Sequence, residues 1–289
     1  MQFISPRTDF AFKRIFGSEN SKKTCISFLN AILDFEGTEK EILDLEILNP
    51  WNAPKIKGLK DTYLDVKVKT TQEKYIIIEM QVLNVDCFKQ RVLYNAAKAY
   101  ANQIGSGSDY NTLIPVIALT IVDFDLIKET ENYISSFHLK EKVENFEYSQ
   151  DFELVFLELP KFKKTLAQLK THKDKWIYFL KEVDDLSTIP ETYKEDNTFD
   201  DAFYVAEKVH ISKEDFELLE GQSMFIADQK NALTKAKKDG VEEGMEKGRE
   251  EGIRLRNIEI AKKLLEKNID ISVIQISTGL TKKEIEELK

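Results

Sequence analysis

The sequence predicts an α/β protein in which a central mixed sheet is flanked by helices and followed by a helical C-terminal region. Residues 62–82 alternate apolar and polar side chains around a short polar turn at 70–73, which is typical of a β-hairpin. Residues 113–122 are almost continuously apolar, as in a strand buried on both faces. A helical pattern at 87–104 lies between them, and this order of elements is typical of an α/β fold.

The other elements follow from local patterns. Thr8 is a suitable N-cap for a short helix at 7–17, and Asp86 is a candidate cap for the helix at 87–104. The remaining predicted elements of this block are a helix at 24–33 and strands at 42–49, near 133–139 and at 153–159. From 161 to about 229 apolar residues recur at helical spacing in four amphipathic segments, whose expected role is packing.

Composition limits the classes of function. The chain has 289 residues, and none of its apolar runs approaches the roughly 18 residues of a transmembrane helix. Its formal net charge of -9 argues against a protein that coats nucleic acid, so any such contact must be local. The candidates for a basic rim around a nucleic-acid-binding cleft are Lys55, Lys57, Lys60, Lys67, Lys69, Lys89, Arg91 and Lys98. The N-terminus lacks a secretory signal, and Cys25 and Cys87 are isolated, so we expect a cytoplasmic protein with reduced thiols.

The predicted hairpin brings two acidic residues together. If it is centred on Gln72, residues whose numbers sum to 144 stand opposite each other, and the Cβ atoms of Asp65 and Glu79 lie about 5 Å apart. The alternation assigns the other face of the first strand to Leu64, Val66 and Val68. Opposed carboxylates repel each other, and Mg²⁺ or Mn²⁺ between them would relieve the repulsion. A half-solvated hairpin with charged residues on its wet side is the alternative.

The same residues carry a resemblance to a known family. Asp65, followed after an aliphatic run by Glu79-Met80-Gln81, is similar to the metal-binding core of PD-(D/E)XK nucleases, with Gln81 where that family usually has lysine. The chain resembles in particular the Rpn recombination-promoting nucleases, also called PD-(D/E)XK family transposases. The other matching segments, in order, are 8–17, Phe28-Leu29-Asn30, Leu64-Asp65-Val66, Arg91 with Tyr94, 107–110 and 156–161.

This resemblance implies a restriction-endonuclease-like fold and a divalent-metal-dependent DNA endonuclease. It assigns Asp65 and Glu79 to the metal, Mg²⁺ or Mn²⁺, and adds Asp9 from an early helix. Gln81 would orient the attacking water, because an amide cannot act as a base. Candidates for the substrate phosphate are Lys13, Gln90 and Arg91, of which the forked guanidinium is the strongest donor. Asp9 as a simple helix-terminal acid, and Gln90 with Arg91 as surface residues, remain open alternatives.

The resemblance also shapes the predicted domains: a nuclease-like domain at 1–165, a helical extension at 166–232, and a tail at 233–289. In the tail, glycine recurs at 240, 244, 248 and 252, so the segment either packs against another helix or forms a solvated, linker-like helix. Two short helices, at 270–277 and 281–288, resemble a helix-turn-helix. The second lacks a base-reading Arg, Asn or Gln, so self-association or partner binding is expected there.

The resemblance implies cleavage of duplex DNA with low sequence preference, linked to recombination or defence against foreign DNA. The alternative from another class is a catalytically weak or inactive nuclease-fold module for nucleic-acid binding or self-assembly. A third reading is a toxin-like nuclease restrained by its own C-terminal segment.

Overall fold

The computed structural model describes residues 2–52, 62–105, 107–195 and 197–288. It divides into two compact units, Met1–Ile226 and Ala227–Lys289. The first unit contains a mixed six-stranded sheet with flanking helices, and a long helix runs from Lys213 to Glu266. The predicted fold class is therefore confirmed.

The elements of the first unit follow in a regular order. Its strands are β1 (Leu45–Leu48), β2 (Trp51–Asn52), β3 (Thr62–Tyr63), β4 (Val66–Thr70), β5 (Tyr75–Gln81), β6 (Val116–Val122), β7 (Ile134–Lys140) and β8 (Glu147–Glu158). Its helices are α1 (Asp9–Phe16), α2 (Lys22–Ile32), α3 (Phe88–Ala101), α4 (His172–Glu182), α5 (Glu191–Lys194), α6 (Asp200–Ala206) and the start of α7 (Lys213–Glu266). The sheet order is β1-β4-β5-β6-β8-β7, and only the β5–β6 and β6–β8 pairs are parallel.

The hairpin has the predicted register. Val66 pairs with Ile78 and Lys69 with Tyr75, so paired residue numbers sum to 144. A turn of fixed length together with a period of two sets this register locally. Strand β6 is buried along its whole length between β5 and β8, as its apolar run predicts.

Helices cover the two faces of the sheet. On one face, Ile76 and Ile78 join the main core, which includes residues of α1, α2, α4 and α6. On the other face, Ile77 packs in a smaller cluster with residues of α3. The strand residues alternate between these clusters because consecutive side chains point to opposite faces. Aromatic rings meet in the main core, where the centroid of Trp176 lies 4.5 Å from that of Phe199.

Two local predictions were wrong. Asp86 does not cap α3: the N-cap is Cys87, in a left-handed conformation with φ of 61° and no side-chain cap bond. The first of the four predicted amphipathic helices is replaced by short 3₁₀ turns at Leu159–Lys161 and Leu166–Gln168. In the second turn, Thr165 and Gln168 close a capping box around a single turn, and the chain leaves it in an extended conformation.

The second unit is helical. The glycine segment 240–252 lies inside α7, and beyond the adjacent residues and backbone of this helix no described atom comes within 4 Å of where a Cβ would stand at those glycines. Helices α8 (Ile271–Thr278) and α9 (Lys282–Glu286) pack with the end of α7 through Ala261, Ile274 and Ile285. The predicted capping box between Thr281 and Glu284 is present.

Candidate active site at the β4–β5 hairpin

The regular alternation of the first hairpin strand breaks at Asp65. Strand β4 begins only at Val66, because the amide of Leu64 donates to the carbonyl of Pro50 at 3.1 Å instead of extending the ladder. Leu64 consequently packs with Ile77 on the α3 side, whereas Val66 packs in the main core. The prediction that these two residues share a face was wrong, and Asp65 lies at the point where the face changes.

Asp65 contacts the backbone of β5 and the side chain of an α1 residue. Its Oδ2 accepts a hydrogen bond from the main-chain N–H of Met80 at 2.7 Å, and its Oδ1 lies 3.8 Å from Nζ of Lys13. The last ladder pair is Val66 with Ile78, so the predicted cross-strand pairing of Asp65 with Glu79 is not formed. The carboxylate instead binds the residue that follows Glu79.

Asp9 and Lys13 complete a small charged group around Asp65. Nζ of Lys13 lies 2.6 Å from Oδ1 of Asp9, one helical turn away, and 3.8 Å from Oδ1 of Asp65, so the ammonium lies between the two acids. Burial raises the pKa of Asp65 to about 7; the Met80 N–H opposes this rise, Asp9 adds to it, and Lys13 lowers it. The group therefore contains two carboxyl groups and one ammonium, and burial disfavours the ionised form of Asp65.

Glu79 points toward α3. Its side chain is buried, with 9% of the residue exposed, and Oε1 accepts a hydrogen bond of 2.6 Å from Nδ2 of Asn95. Burial raises the pKa of Glu79, while the Asn95 bond and the charge of Arg91 pull it down. Among the described residues no cation contacts this carboxylate, although the Arg91 guanidinium is near enough to lower its pKa.

Gln81 and Arg91 form a second pair between β5 and α3. Arg91 Nη2 donates to Oε1 of Gln81, and Nε2 of Gln81 donates to the carbonyl of Leu83 at 3.0 Å. The guanidinium of Arg91 is exposed and lies 5.1 Å from the ring centroid of Phe88. Gln90 is exposed on the same helix and takes part in neither pair.

Two residue groups therefore emerge from the predicted site. Asp9, Lys13 and Asp65 lie together, and Glu79, Gln81 and Arg91 lie together; the Met80 amide links the first group to the strand that carries the second.

Asn95 was missed by the sequence analysis. The signal was an asparagine inside a helix that is otherwise rich in alanine, since asparagine is a poor helix former. It also stands four residues after Arg91, and therefore on the same side of α3.

The predicted basic rim is only partly described. Lys55, Lys57 and Lys60 lie outside the described residues. Lys98 is buried, 5.9 Å from the ring centroid of Tyr94. Among the described residues of this rim, Arg91 is exposed and bonds Gln81 of the candidate site.

Comparison with known protein families gives a match that covers nearly all of the first unit. A family model described as PD-(D/E)XK nuclease family transposase matches residues 6–236. The chain belongs to this family. The match includes the candidate site, and membership in a PD-(D/E)XK nuclease family supports a nuclease class of activity with DNA as substrate. Among the curated proteins and the solved structures compared, none matches the chain. In the described ranges, no helix is long and apolar enough to cross a membrane.

Members of PD-(D/E)XK nuclease families usually bind divalent metals, so we tested whether these residues fit one. Within the described part of the chain, no three Asp, Glu, His or Cys side chains converge as a metal site. Mg²⁺, however, is commonly bound through only one or two carboxylates together with waters and substrate phosphate. Burial raises the pKa of both Asp65 and Glu79, and a bound cation would offset this effect. The buried Oδ1 of Asn95 has no hydrogen-bond partner among the described residues. These donors fit a hard cation.

A cavity adjoins the Asp65 group. Its volume is about 790 Å³, and Asp9 and Lys13 line it from α1, with Tyr204 from α6 and Gln222 from the first part of α7. Both polar and apolar groups line it. Lys13 connects this cavity to Asp65, since its Nζ lies 3.8 Å from Oδ1 of that acid.

Proposed function

We propose that this PD-(D/E)XK family member is a divalent-metal-dependent DNA endonuclease that hydrolyses phosphodiester bonds with low sequence preference. Its biological setting would be recombination or defence against foreign DNA in the cytoplasm. The observation that carries the proposal is the bond from the Met80 N–H to Asp65, which anchors that acid beside the residue following Glu79. This bond supports the proposal because it holds Asp65 against the strand that carries Glu79.

The proposed cofactor is Mg²⁺ or Mn²⁺, held by Asp65 and Glu79, with Asp9 as a nearby third acid. When bound, such an ion activates water and stabilises the negative charge that develops on the phosphate. Lys13 contacts both Asp9 and Asp65 and balances part of their charge. Lys13 also lines the adjoining cavity, where its ammonium is the proposed contact for a substrate phosphate.

Arg91 is the proposed phosphate donor of α3. Its exposed guanidinium bonds Gln81 through one donor and has other donors that no described residue occupies, and such a fork suits two phosphate oxygens. Gln90 is an exposed second candidate on the same helix. Both ends of the Gln81 amide are engaged, so orienting the attacking water would require Gln81 to release one of its two bonds.

Nicking of supercoiled plasmid tests the proposal. Wild-type protein should convert supercoiled to open-circular DNA with Mg²⁺ or Mn²⁺ and not with EDTA. Asp65→Asn and Glu79→Gln should each lose at least about 100-fold in rate, because even outer partners of metal ligands contribute 10- to 100-fold. Asp44→Asn is the control, since this acid pairs with Lys22 away from the site. Nicking that survives both site substitutions would remove Asp65 and Glu79 from the mechanism.

A second candidate function is a nuclease-fold module that binds nucleic acid or self-assembles with little or no turnover. The observation in its favour is that no three metal-binding side chains converge among the described residues. Wild-type protein that binds DNA but does not nick it with either metal would support this function. Self-association would proceed through the C-terminal helical region, where Val241, Met245 and Leu255 expose apolar side chains on α7. Light scattering coupled to size-exclusion chromatography would measure it.

A further inference from the structure

Strand β5 and helix α3 match each other in spacing at the candidate site. Residues two apart on a strand are about 6.6 Å apart, and residues four apart on a helix are about 6 Å apart along the axis. Glu79 and Gln81 can therefore meet Asn95 and Arg91 as two parallel pairs. In each pair one side chain is charged and the other is a neutral amide.

The alternative pairing would be a direct ion pair between Glu79 and Arg91. These two described residues lie near enough for the guanidinium to lower the pKa of the carboxyl, yet each makes its hydrogen bond to an amide instead. A carboxylate and a guanidinium in contact form strong charge-assisted bonds that occupy both groups. Because Glu79 and Arg91 each bond an amide instead, neither charged group occupies the other.

We infer that Gln81 and Asn95 are positioning residues that keep Glu79 and Arg91 apart, so that the carboxylate remains available to a cation and the guanidinium to a phosphate. This inference rests on the proposed function. An amide carries both donors and an acceptor, so Asn95 can donate to a carboxylate and Gln81 can accept from a guanidinium without neutralising either charge.

The surroundings of each amide support this division of roles. Asn95 is 3% exposed, and its Oδ1 has no partner within the described residues, so the protein tolerates an unpaired buried acceptor next to Glu79. Gln81 is itself anchored by the Leu83 carbonyl, and the ring of Phe88 lies beside the Arg91 guanidinium. The guanidinium is thus supported by two neighbours, and neither carries a charge.

The inference also accounts for the departure from the family's lysine at position 81. A lysine ammonium has three donors and no acceptor, so it could not receive the bond that Arg91 donates to Gln81. It would also place a second cation beside the guanidinium. Glutamine at this position is therefore consistent with Arg91 as the phosphate-binding cation.

The proposed positioning role of Gln81 is tested by DNA binding without metal. In Gln81→Glu the new carboxylate should capture Arg91, and the slope of log affinity against log salt should fall by about 0.9, the contribution of one phosphate contact. The measurement is fluorescence anisotropy of the full chain with a labelled duplex in EDTA. Gln168→Glu is the matched control: it adds the same charge at a capping-box position that accepts glutamate, and it should keep the wild-type slope.

The proposed positioning role of Asn95 is tested by calorimetric titration with Mn²⁺ alone. Asn95→Leu should weaken binding 10- to 100-fold, as expected for a residue that orients a metal ligand. Asn30→Leu is the matched control: this buried amide bonds only the backbone of Ile42 among the described contacts, so its loss should leave Mn²⁺ affinity unchanged. Circular dichroism verifies folding, and the smaller Asn95→Ala replaces the leucine variant if that variant does not fold.

The outcomes separate this inference from the proposed function. If wild type nicks DNA while Gln81→Glu keeps the wild-type slope and Asn95→Leu keeps Mn²⁺ affinity, the positioning roles are overturned and the endonuclease stands. If wild type binds no Mn²⁺, the Asn95 role falls together with the metal-dependent activity. The slope for Gln81→Glu then decides the Gln81 role by itself.

Discussion

Substitution of Glu158 by alanine should strongly destabilise the first unit. Glu158 is fully buried at the end of β8, and its Oε1 accepts hydrogen bonds from the amides of Leu126 at 2.6 Å and Ile127 at 3.1 Å. Its Oε2 accepts from Nζ of Lys161 at 2.8 Å, and that lysine side chain is only 7% exposed. The carboxylate thus connects the loop after β6 to the end of β8.

The expected loss follows from what the substitution leaves behind. Each buried donor without a partner costs about 1–3 kcal/mol, and removing one member of a buried ion pair costs about 3–5 kcal/mol. Lys161 keeps its bonds to the carbonyls of Ile127 and Thr130, which limits the penalty for the ammonium. We therefore expect Glu158→Ala to lower the free energy of unfolding by about 3–5 kcal/mol.

Urea denaturation at neutral pH measures this loss, followed by tryptophan fluorescence, to which the buried Trp176 contributes. A double-mutant cycle with Lys161→Met should give a coupling of at least about 1.5 kcal/mol. Glu191→Ala is the control, because Glu191 and Lys194 have the same i,i+3 spacing on an exposed surface; its effect should stay within about 0.5 kcal/mol. Additive effects of Glu158→Ala and Lys161→Met would refute the reasoning.

Three further predictions concern other parts of the chain. Burial raises the pKa of Asp174, but hydrogen bonds from Lys164 and from backbone amides outweigh burial, so the net shift of the pKa is downward. Asp174→Asn should therefore lower the free energy of unfolding by about 1.5–3 kcal/mol at neutral pH. The difference from wild type should shrink as pH falls from about 5 toward 3, because the wild-type carboxylate then becomes protonated. Gly244→Ala with Gly248→Ala should raise the thermal stability of the second unit, because each glycine disfavours a helix by about 1 kcal/mol and a Cβ meets no described atom. Deletion of 240–289 should leave plasmid nicking within about twofold of wild type, since the main core and the candidate site lie before residue 227.

Each of these has a contradicting result. An Asp174→Asn penalty that does not change with pH in urea denaturation would mean that its charge does not contribute. Loss of an oligomer when the two glycines become alanine, seen by light scattering, would show that the glycine stripe is a contact surface. A clear rise in nicking after deletion of 240–289 would support restraint of the nuclease by its C-terminal segment.

The features that the sequence predicted well are those set by local rules. The register of the β4–β5 hairpin follows from a turn centred on Gln72 and a period of two. Thr8 caps α1 and accepts from the amide of Ala11, as short-range capping rules predict. Strand β6 follows from its composition alone.

The features that could not be predicted depend on contacts between distant segments. Leu64 changes face because its amide finds the carbonyl of Pro50, and hydrophobic alternation contains no information about that contact. Asn95 meets Glu79 only because α3 crosses β5 at one particular place. The spacing of Glu79 and Gln81 indicated a catalytic site, but their partners Asn95 and Arg91 are apparent only from the way α3 packs against β5.

The bond between the Met80 amide and Asp65 determines how precisely that acid is placed. Met80 stands two residues after Ile78, a fully buried residue of the sheet that pairs with Val66, so the carboxylate is held by backbone that is itself held by the core. An acid held in this way loses its conformational entropy during folding, so substrate binding does not have to offset that loss. Thermal fluctuations that loosen the surface helices would therefore leave the position of Asp65 unchanged until the sheet itself opens.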